Sequence, residues 1–335
     1  MEIGNQMHTL VQGLKKLGID AKSLNYYPTY LCYPSDMVLA LNLCRNMRQA
    51  NEELKKIVPG IIETNDVFHF HFGTSLMPDH SDLPVLKRMG KTILMHHWGS
   101  DVRLRSVAAK WNPYVKVKNG DENFIRRSLE RLSEYIDTCV VSDYELYAYV
   151  REYYGKVAVI PQAINLDEYK PPADRQKNEK LMVVHAPTSP EIKGTDYIRK
   201  AVEELKSQYD FNFRLVQGVS HEEAKKIYLD ADLVVDQLLT GTYGLLSVEC
   251  MAMGKPVICY ISDFMKEKYP AELPLISTNP DNFRETMEAL LKNREYLAEV
   301  GKNSRKYAEM YHDVDLISPR LLALYQALSD RGERE

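Results

Sequence analysis

Short apolar runs alternate with amphipathic stretches along most of the chain, and that alternation leaves few folds open. Residues 67–72, 92–95, 138–141 and 157–160 have the length and composition of buried strands, and the segments 121–136 and 143–154 between them carry apolar residues at helical spacing. The second half repeats the rhythm. Strand-like runs at 181–185, 211–216, 233–235 and 256–260 alternate with helix-like segments at 195–209, 221–229 and 243–253. Strand–helix alternation places helices on both faces of parallel sheets. Two such halves predict an α/β chain with two Rossmann-like domains.

A length of 335 residues fits two domains of roughly 100–200 residues each. The most polar and turn-rich segment is 161–180, which contains Pro171-Pro172 and a run of charges. It sets the expected boundary between a first domain at 1–160 and a second at 161–312. Residues 281–291, 294–310 and 318–328 read as helices, and the segment 313–335 is expected to cross back toward the first domain. Gly4-Asn5-Gln6 reads as the turn that opens a helix over 7–17, stopped by Gly18. In a doubly wound domain such a turn follows the central first strand, yet only three residues precede it. The first strand is therefore missing from its expected place: the true start lies upstream, the chain is truncated, or another segment fills that place.

The net charge of −4 makes nucleic acid an unsuitable partner. Five cysteines, Cys32, Cys44, Cys139, Cys250 and Cys259, are scattered without a CxxC pair, as in a reducing compartment where each acts as a small buried apolar residue. No apolar run approaches the ~18 residues of a membrane span, and the start lacks a basic-then-apolar signal. The expected location is cytoplasmic.

The segment that carries chemistry is 240–257, Thr-Gly-Thr-Tyr-Gly-Leu-Leu-Ser-Val-Glu-Cys-Met-Ala-Met-Gly-Lys-Pro-Val. Gly241 and Gly244 mark a tight turn, apolar residues follow at helical spacing, Gly254 stops them and Pro256 opens a strand. A glycine turn ahead of a helix leaves backbone N–H groups unpaired, and with the helix dipole they suit a diphosphate. Glu249, about a turn and a half into that helix, could accept hydrogen bonds from two neighbouring hydroxyls of a ribose. The plainer alternative is a packed helix with a surface Glu.

The whole string resembles the donor-site motif of glycosyltransferase family 4, the retaining GT-B enzymes. That family shows Glu-Gly-Phe-Gly, a second Glu eight positions after the first, and a small-residue helix ending Gly-x-Pro-Val. Gly244, Glu249, Ala252, Gly254, Pro256 and Val257 match. The resemblance implies a GT-B fold, two Rossmann-like domains whose parallel sheets face a central cleft. It also implies that Glu249 holds the ribose and that the amides of Leu245 and Leu246 hold the diphosphate. The family's first Glu, which contacts the transferred sugar, falls on Gly241 here.

Further matches extend over most of the chain. Residues 161–169, Pro-Gln-Ala-Ile-Asn-Leu-Asp-Glu-Tyr, resemble the family's Pro-Asn-Gly-Val-Asp segment, and Glu191-Ile192-Lys193-Gly194-Thr195 resembles its Lys-Gly element. Lys193 is then expected to pair with the donor diphosphate and stabilise a leaving group that gains charge. Thr188 stands where the family often has an Arg. His96-His97-Trp98-Gly99-Ser100-Asp101-Val102-Arg103 resembles the family's His-x-Gly-x-Asp loop. The resemblance implies that His97 contacts the sugar and that Asp101 or Arg103 shapes the acceptor side. His96 competes with His97 by one residue, and the plain alternative is a histidine bonded only within its own loop. Gly4 and its neighbours add backbone donors to the cleft, or form a plain cap.

His69 and His71 share one side of their strand, so a metal cluster with His96 and His97 is conceivable; local hydrogen bonding is the stronger reading, and neither metal nor other cofactor is expected. Two Asp-x-Asp strings, Asp230-Ala231-Asp232 and Asp313-Val314-Asp315, are explained by capping and solvation. Residues 103–131 hold eight Lys/Arg and three acids around Trp111. They read as a solvated helix face, or as a face for anionic lipid or a lipid-diphosphate acceptor.

By this resemblance the chain transfers a sugar from a nucleotide-diphosphate donor to a glycan or lipid-linked acceptor with retention, in bacterial surface polysaccharide synthesis. The work would be done in the cytoplasm or at the inner face of the membrane, with peripheral membrane contact. The alternatives are a non-catalytic nucleotide-sugar-binding subunit and a GT-B sugar-nucleotide epimerase.

Overall fold

The computed structural model describes residues 2–171 and 178–332; of the expected boundary segment, 172–177 with Pro172 lie outside the described residues. The chain divides into two compact units. One comprises Met1–Leu104, Asn119–Ala163 and Val314–Glu335, the other Arg105–Lys118 and Ile164–Asp313.

In the first unit a short parallel pair, β1 (Leu24–Asn25) and β2 (Met37–Val38), stands apart from the main sheet. The main sheet has β3 (Val67–His71), β4 (Thr92–His97), β5 (Thr138–Val141) and β6 (Lys156–Val159) in that order, all parallel. Residues 2–5 form no strand. The helix Gln6–Lys16 instead packs on the helix Val314–Gly332 through a core that includes Leu10, Leu14, Leu94, Val140, Ile317 and Leu321. Gly13 permits this approach, because a Cβ there would lie 1.9 Å from Ser318 Oγ. That last helix was expected only from 318; it starts at Val314 and runs through Pro319. The helix Met47–Thr64 is absent from the sequence reading. It buries Ala50, Leu54, Val58 and Ile62 at four-residue spacing and accommodates Pro59 within it.

In the second unit β7 (Leu181–His185), β8 (Phe211–Leu215), β9 (Leu233–Val235) and β10 (Val257–Ile258) form a parallel sheet in the order β10-β9-β7-β8. The inner strands β7 and β9 are covered on both faces and are apolar but for His185, while the edge strand β8 alternates apolar residues with exposed Asn212 and Arg214. Val184, Val234 and Val257 pack on one side with Val248, Met251 and Tyr307. Val183, Val235 and Ile258 pack on the other with Ile198, Leu205 and Phe283. The chain leaves β7 toward β8 and returns to β9 on its other side. Strand order therefore reverses between β7 and β9, and the crevice beyond the carboxyl ends of these two strands is where open α/β sheets take ligands.

Residues 105–118 lie in the second unit, where the sequence reading places them in the first domain. Asn112 Nδ2 donates to Leu239 O at 2.8 Å, Tyr114 OH donates to Asp281 at 2.5 Å, and Trp111 stacks on Phe264 with centroids 4.7 Å apart. The basic stretch 103–131 is thus divided between the units, and nothing in its sequence pattern marks the division. Among the described residues no helix is long and apolar enough to cross a membrane.

His185 ties β7 to its neighbours. Its Nδ1–H donates to Val235 O and its Nε2 accepts from Thr195 Oγ1, both at 2.8 Å. Burial holds its pKa down at about 4, from an ordinary 6.5. The unfolded chain takes up this proton near 6.5 and the folded chain resists until about 4. The stability His185 contributes is therefore complete above the upper value and lost as pH falls toward the lower one. The gap in unfolding free energy between wild type and His185→Gln should narrow by about 3 kcal/mol across that window. Urea denaturation at its two ends measures it, and a constant gap refutes the account.

Candidate functional site

The crevice beyond β7 and β9 is organised by Asp236, the first residue past β9 and completely buried. Lys193, at the end of the short helix Pro190–Lys193, brings its Nζ to 2.5 Å from Asp236 Oδ1. Asp236 Oδ2 accepts from Ser247 Oγ at 2.7 Å and from the backbone N–H of Gly244 at 3.3 Å. Burial opposes ionisation of this carboxyl, but the adjacent ammonium and these two donors outweigh it and hold the pKa below its ordinary value. Lys193 and Gly244, fifty-one positions apart in the chain, are thereby brought together: a Cβ on Gly244 would lie 3.6 Å from Lys193 Nζ.

Gly244 caps the helix Leu245–Ala252 in extended backbone. The N–H groups of Leu245 and Leu246 head that helix, beyond the reach of intrahelical carbonyls. Both residues are half-buried. The other helix end is held by Arg305, whose Nη1 donates to Ala252 O at 2.7 Å and to Tyr169 O at 3.0 Å. Glu249 is buried on the same helix rather than at the surface. Its Oε1 accepts from His221 Nε2 at 2.7 Å and from Tyr169 OH at 3.1 Å. No hydrogen bond falls on Oε2 among the described residues.

Gly241 adopts the left-handed conformation (φ 82°), and a Cβ there would lie 2.9 Å from Asn112 Nδ2 and 3.1 Å from Ser262 Cβ. A glutamate at this place would be strained by the left-handed backbone and would crowd Asn112 and Ser262. The departure of this chain from the family pattern is therefore built into the turn. Asn112 belongs to the segment 105–118.

In the first unit the loop after β4 holds the other expected residues. His97 is buried and both its ring nitrogens are engaged: Nδ1–H donates to Asp101 Oδ2 at 2.7 Å, and Nε2 accepts from Tyr154 OH at 2.8 Å. Asp101 also accepts the backbone N–H groups of Trp98 and Gly99 at 3.1 and 2.9 Å. His97 thus bonds within its own unit, and the unengaged imidazole nitrogens belong to His96, the competing residue. Arg103 is forked onto Glu145 through Nε and Nη2, each at 2.7 Å, and Tyr149 OH donates to the same carboxylate. Its guanidinium has a structural partner where the sequence suggested an acceptor contact. At the first helix, Gly4 and Asn5 both have positive φ. The N–H groups of Met7 and His8 are taken by the buried carboxyl of Glu2, at 3.1 and 3.2 Å, and burial raises its pKa to about 7.

One aspartate of each Asp-x-Asp string has a protein partner distant in the chain. Asp232 accepts from Met182 N and Asn178 Nδ2, and Asp315 pairs with Lys16.

The sequence reading missed Asp236, Ser247, His221 and Tyr169. Asp236 carried a signal, since a carboxylate directly after a buried apolar strand requires a partner. His221 and Tyr169 reach Glu249 only through the tertiary fold.

Residues 199–307 match the family described as Glycosyl transferases group 1. No curated protein matches the chain. Among solved structures, a glycosyltransferase from Rickettsia africae ESF-5 is 13% identical, with 97% of this chain and 94% of that one covered at a TM-score of 0.66. Anabaena Alr3699/HepE in complex with UDP and glucose is 11% identical, covering 97% and 96% at 0.63. Sucrose-phosphate synthase (tll1590) from Thermosynechococcus elongatus is 17% identical, covering 83% and 79% at 0.56. These likenesses, with the two parallel sheets, show the fold to be GT-B with two Rossmann-like domains.

Lys193→Ala leaves the buried Asp236 carboxylate without its cation and should cost about 3–5 kcal/mol. Lys193→Ala combined with Asp236→Asn should recover much of that loss. Urea denaturation of the three proteins measures it; a double variant no more stable than Lys193→Ala contradicts the pairing.

Proposed function

We propose that this chain is a glycosyltransferase that moves a sugar from a nucleotide-diphosphate donor to a glycan or lipid-linked acceptor with retention of configuration. The observation that carries the reading is the meeting of Lys193, Gly244 and the start of helix Leu245–Ala252 at the point where strand order reverses. A diphosphate at that helix start receives the N–H groups of Leu245 and Leu246 and the positive end of the helix dipole. Lys193 has three N–H donors, of which Asp236 takes one, so two remain for phosphate oxygens. Asp236 keeps the ammonium aimed. Glu249, oriented by His221 and Tyr169 through Oε1, offers Oε2 to the ribose hydroxyls.

In this reading, bond cleavage at the anomeric carbon is assisted by stabilising the departing diphosphate with Lys193 and the helix start. Positioning supplies the rest. His97 and Asp101 act by fixing the loop that carries Trp98 and Gly99, and the first unit presents the acceptor. No metal is assigned to the donor diphosphate. A role in bacterial surface polysaccharide synthesis, in the cytoplasm or at the inner face of the membrane, belongs to the same proposal. UDP is the first nucleotide to test, because the HepE structure contains it.

Gly241 favours a second reading, a nucleotide-sugar-binding subunit without catalysis. The chain has no carboxylate where the family contacts the sugar, and the left-handed turn at Gly241 disfavours one.

Calorimetric titration should show UDP or a UDP-sugar binding to wild type. Glu249→Ala, and the Lys193→Ala/Asp236→Asn pair, should each weaken it at least about tenfold, the equivalent of 1.4 kcal/mol. Unchanged affinity in both variants sinks the site. Transfer to an acceptor, or donor hydrolysis with the released sugar's anomer followed by NMR, supports the enzyme. Tight binding with neither activity supports the subunit.

A further inference from the structure

Beyond β3 and β4 the first unit gathers three histidines that the proposed sugar transfer does not use. Alternation on β3 puts His69 and His71 on one face, and His71 is paired in register with His96 on β4. His97, one residue on, points to the opposite face. The imidazoles of His69, His71 and His96 each present a ligating nitrogen, and these atoms lie within 4.8 Å of one another. His69 Nε2 and both nitrogens of His96 are buried without any hydrogen-bond partner. Unpaired polar atoms at this depth are costly. Three of them on two stacked rings need an explanation beyond packing.

We propose that His69, His71 and His96 form a binding site for a late first-row divalent transition metal, Zn2+ foremost. An all-imidazole donor set suits Zn2+, Cu2+, Ni2+ and Co2+ and does not suit Mg2+ or Ca2+, which take oxygen ligands. Tetrahedral bonds of about 2.0–2.1 Å to nitrogen place ligand atoms roughly 3.3 Å apart. The three nitrogens start within 4.8 Å of one another, and ligation turns the parallel rings of His69 and His96 so that their lone pairs converge on one point. Three protein ligands leave the fourth position to water or to an oxygen of a bound molecule.

The surrounding contacts fit that role. His69 Nδ1 is 2.6 Å from Tyr325 OH. With the Nδ1 proton donated to that oxygen, the Nε2 lone pair is aimed at the cluster, the arrangement that orients metal-bound histidines elsewhere. His71 Nδ1 accepts from Trp98 Nε1–H at 3.0 Å, so it is a lone pair in place, and a metal that takes it displaces the indole N–H. His96 has either nitrogen to give. Burial keeps all three rings neutral, with His69 held down to about 3 and His71 and His96 well below the ordinary range. Ligation by neutral imidazoles releases no protons. Half-buried His69 and Trp98 leave the cluster reachable at its rim.

Trp98 reports on the site directly, because it bonds His71 and stacks on His96 with ring centroids 3.8 Å apart. The chain has two tryptophans, and Trp111→Phe leaves Trp98 as the single tryptophan, excited selectively at the red edge of the absorption band. The full chain in this background, stripped with a chelator, is titrated with Zn2+, Co2+ and Ni2+. Trp98 fluorescence, the ligand-field spectrum of Co2+ and metal content by mass spectrometry are followed. We expect one metal per chain, Trp98 emission changing in step with occupancy, and a tetrahedral Co2+ spectrum. His96→Gln and His69→Gln should abolish stoichiometric binding, and Tyr325→Phe, which removes only the orienting partner, should weaken it about tenfold. Circular dichroism and UDP affinity in the histidine variants confirm that the fold persists, and they keep this result separate from the test of the donor site. Binding below one equivalent, or equal affinity in wild type and both histidine variants, overturns the proposal.

Discussion

The second unit turns on one buried carboxylate. Asp236 sits past the end of β9, where strand order reverses, and takes an ammonium, a hydroxyl and a backbone N–H at once. A charge so deeply placed is tolerable only when each oxygen is satisfied. Satisfying it draws Lys193, Ser247 and Gly244 to one point. The pairing fixes the start of helix Leu245–Ala252 relative to the loop after β7, while Arg305 fixes the end of that helix. The diphosphate site proposed above is a consequence of this arrangement. Its donors are held in place before any ligand arrives, which lowers the cost of binding.

The first unit uses its polar groups differently. Asp101 closes its own loop and engages His97, Arg103 is locked to Glu145, and Glu2 occupies the amides at the start of the first helix. His97, Asp101, Arg103 and the backbone donors of the first helix resemble ligand contacts in the sequence, and each has a protein partner in the fold. The imidazole left without a hydrogen-bond partner, His96, is on the opposite face of β4 from His97, and it stacks on His69, which bonds Tyr325 of the helix Val314–Gly332.

The inner strands β5, β7 and β9 were legible because burial on both faces makes them nearly continuous apolar runs. The helices after them were legible from their caps, as with Asp143 bonding Leu146 N and the capping box of Ser220 and Glu223. Their ends were less so: the helix expected over 143–154 is Tyr144–Val150, and that expected over 243–253 is Leu245–Ala252. The helix Met47–Thr64 escaped notice because Pro59-Gly60 interrupts its pattern with two breaking residues. The segment 105–118 escaped because its membership of the second unit rests on contacts of Asn112, Tyr114 and Trp111 with residues more than a hundred positions away.

What the sequence determined by itself is whatever follows from periodicity and local chemistry: the α/β class, the alternation in two halves, the turn at Gly241 and Gly244, and the helix that carries Glu249. These are properties of neighbours in the chain, set by side-chain spacing and by glycine's backbone freedom. Only the tertiary structure decided which polar groups are already engaged. His97 and His96 differ by one position and lie on opposite faces of β4, one with both nitrogens bonded and the other with neither. Lys193 became an oriented cation because a carboxylate forty-three positions later had to be neutralised in the interior. Hydrogen-bond satisfaction is decided by partners in space, and no spacing along the chain records it.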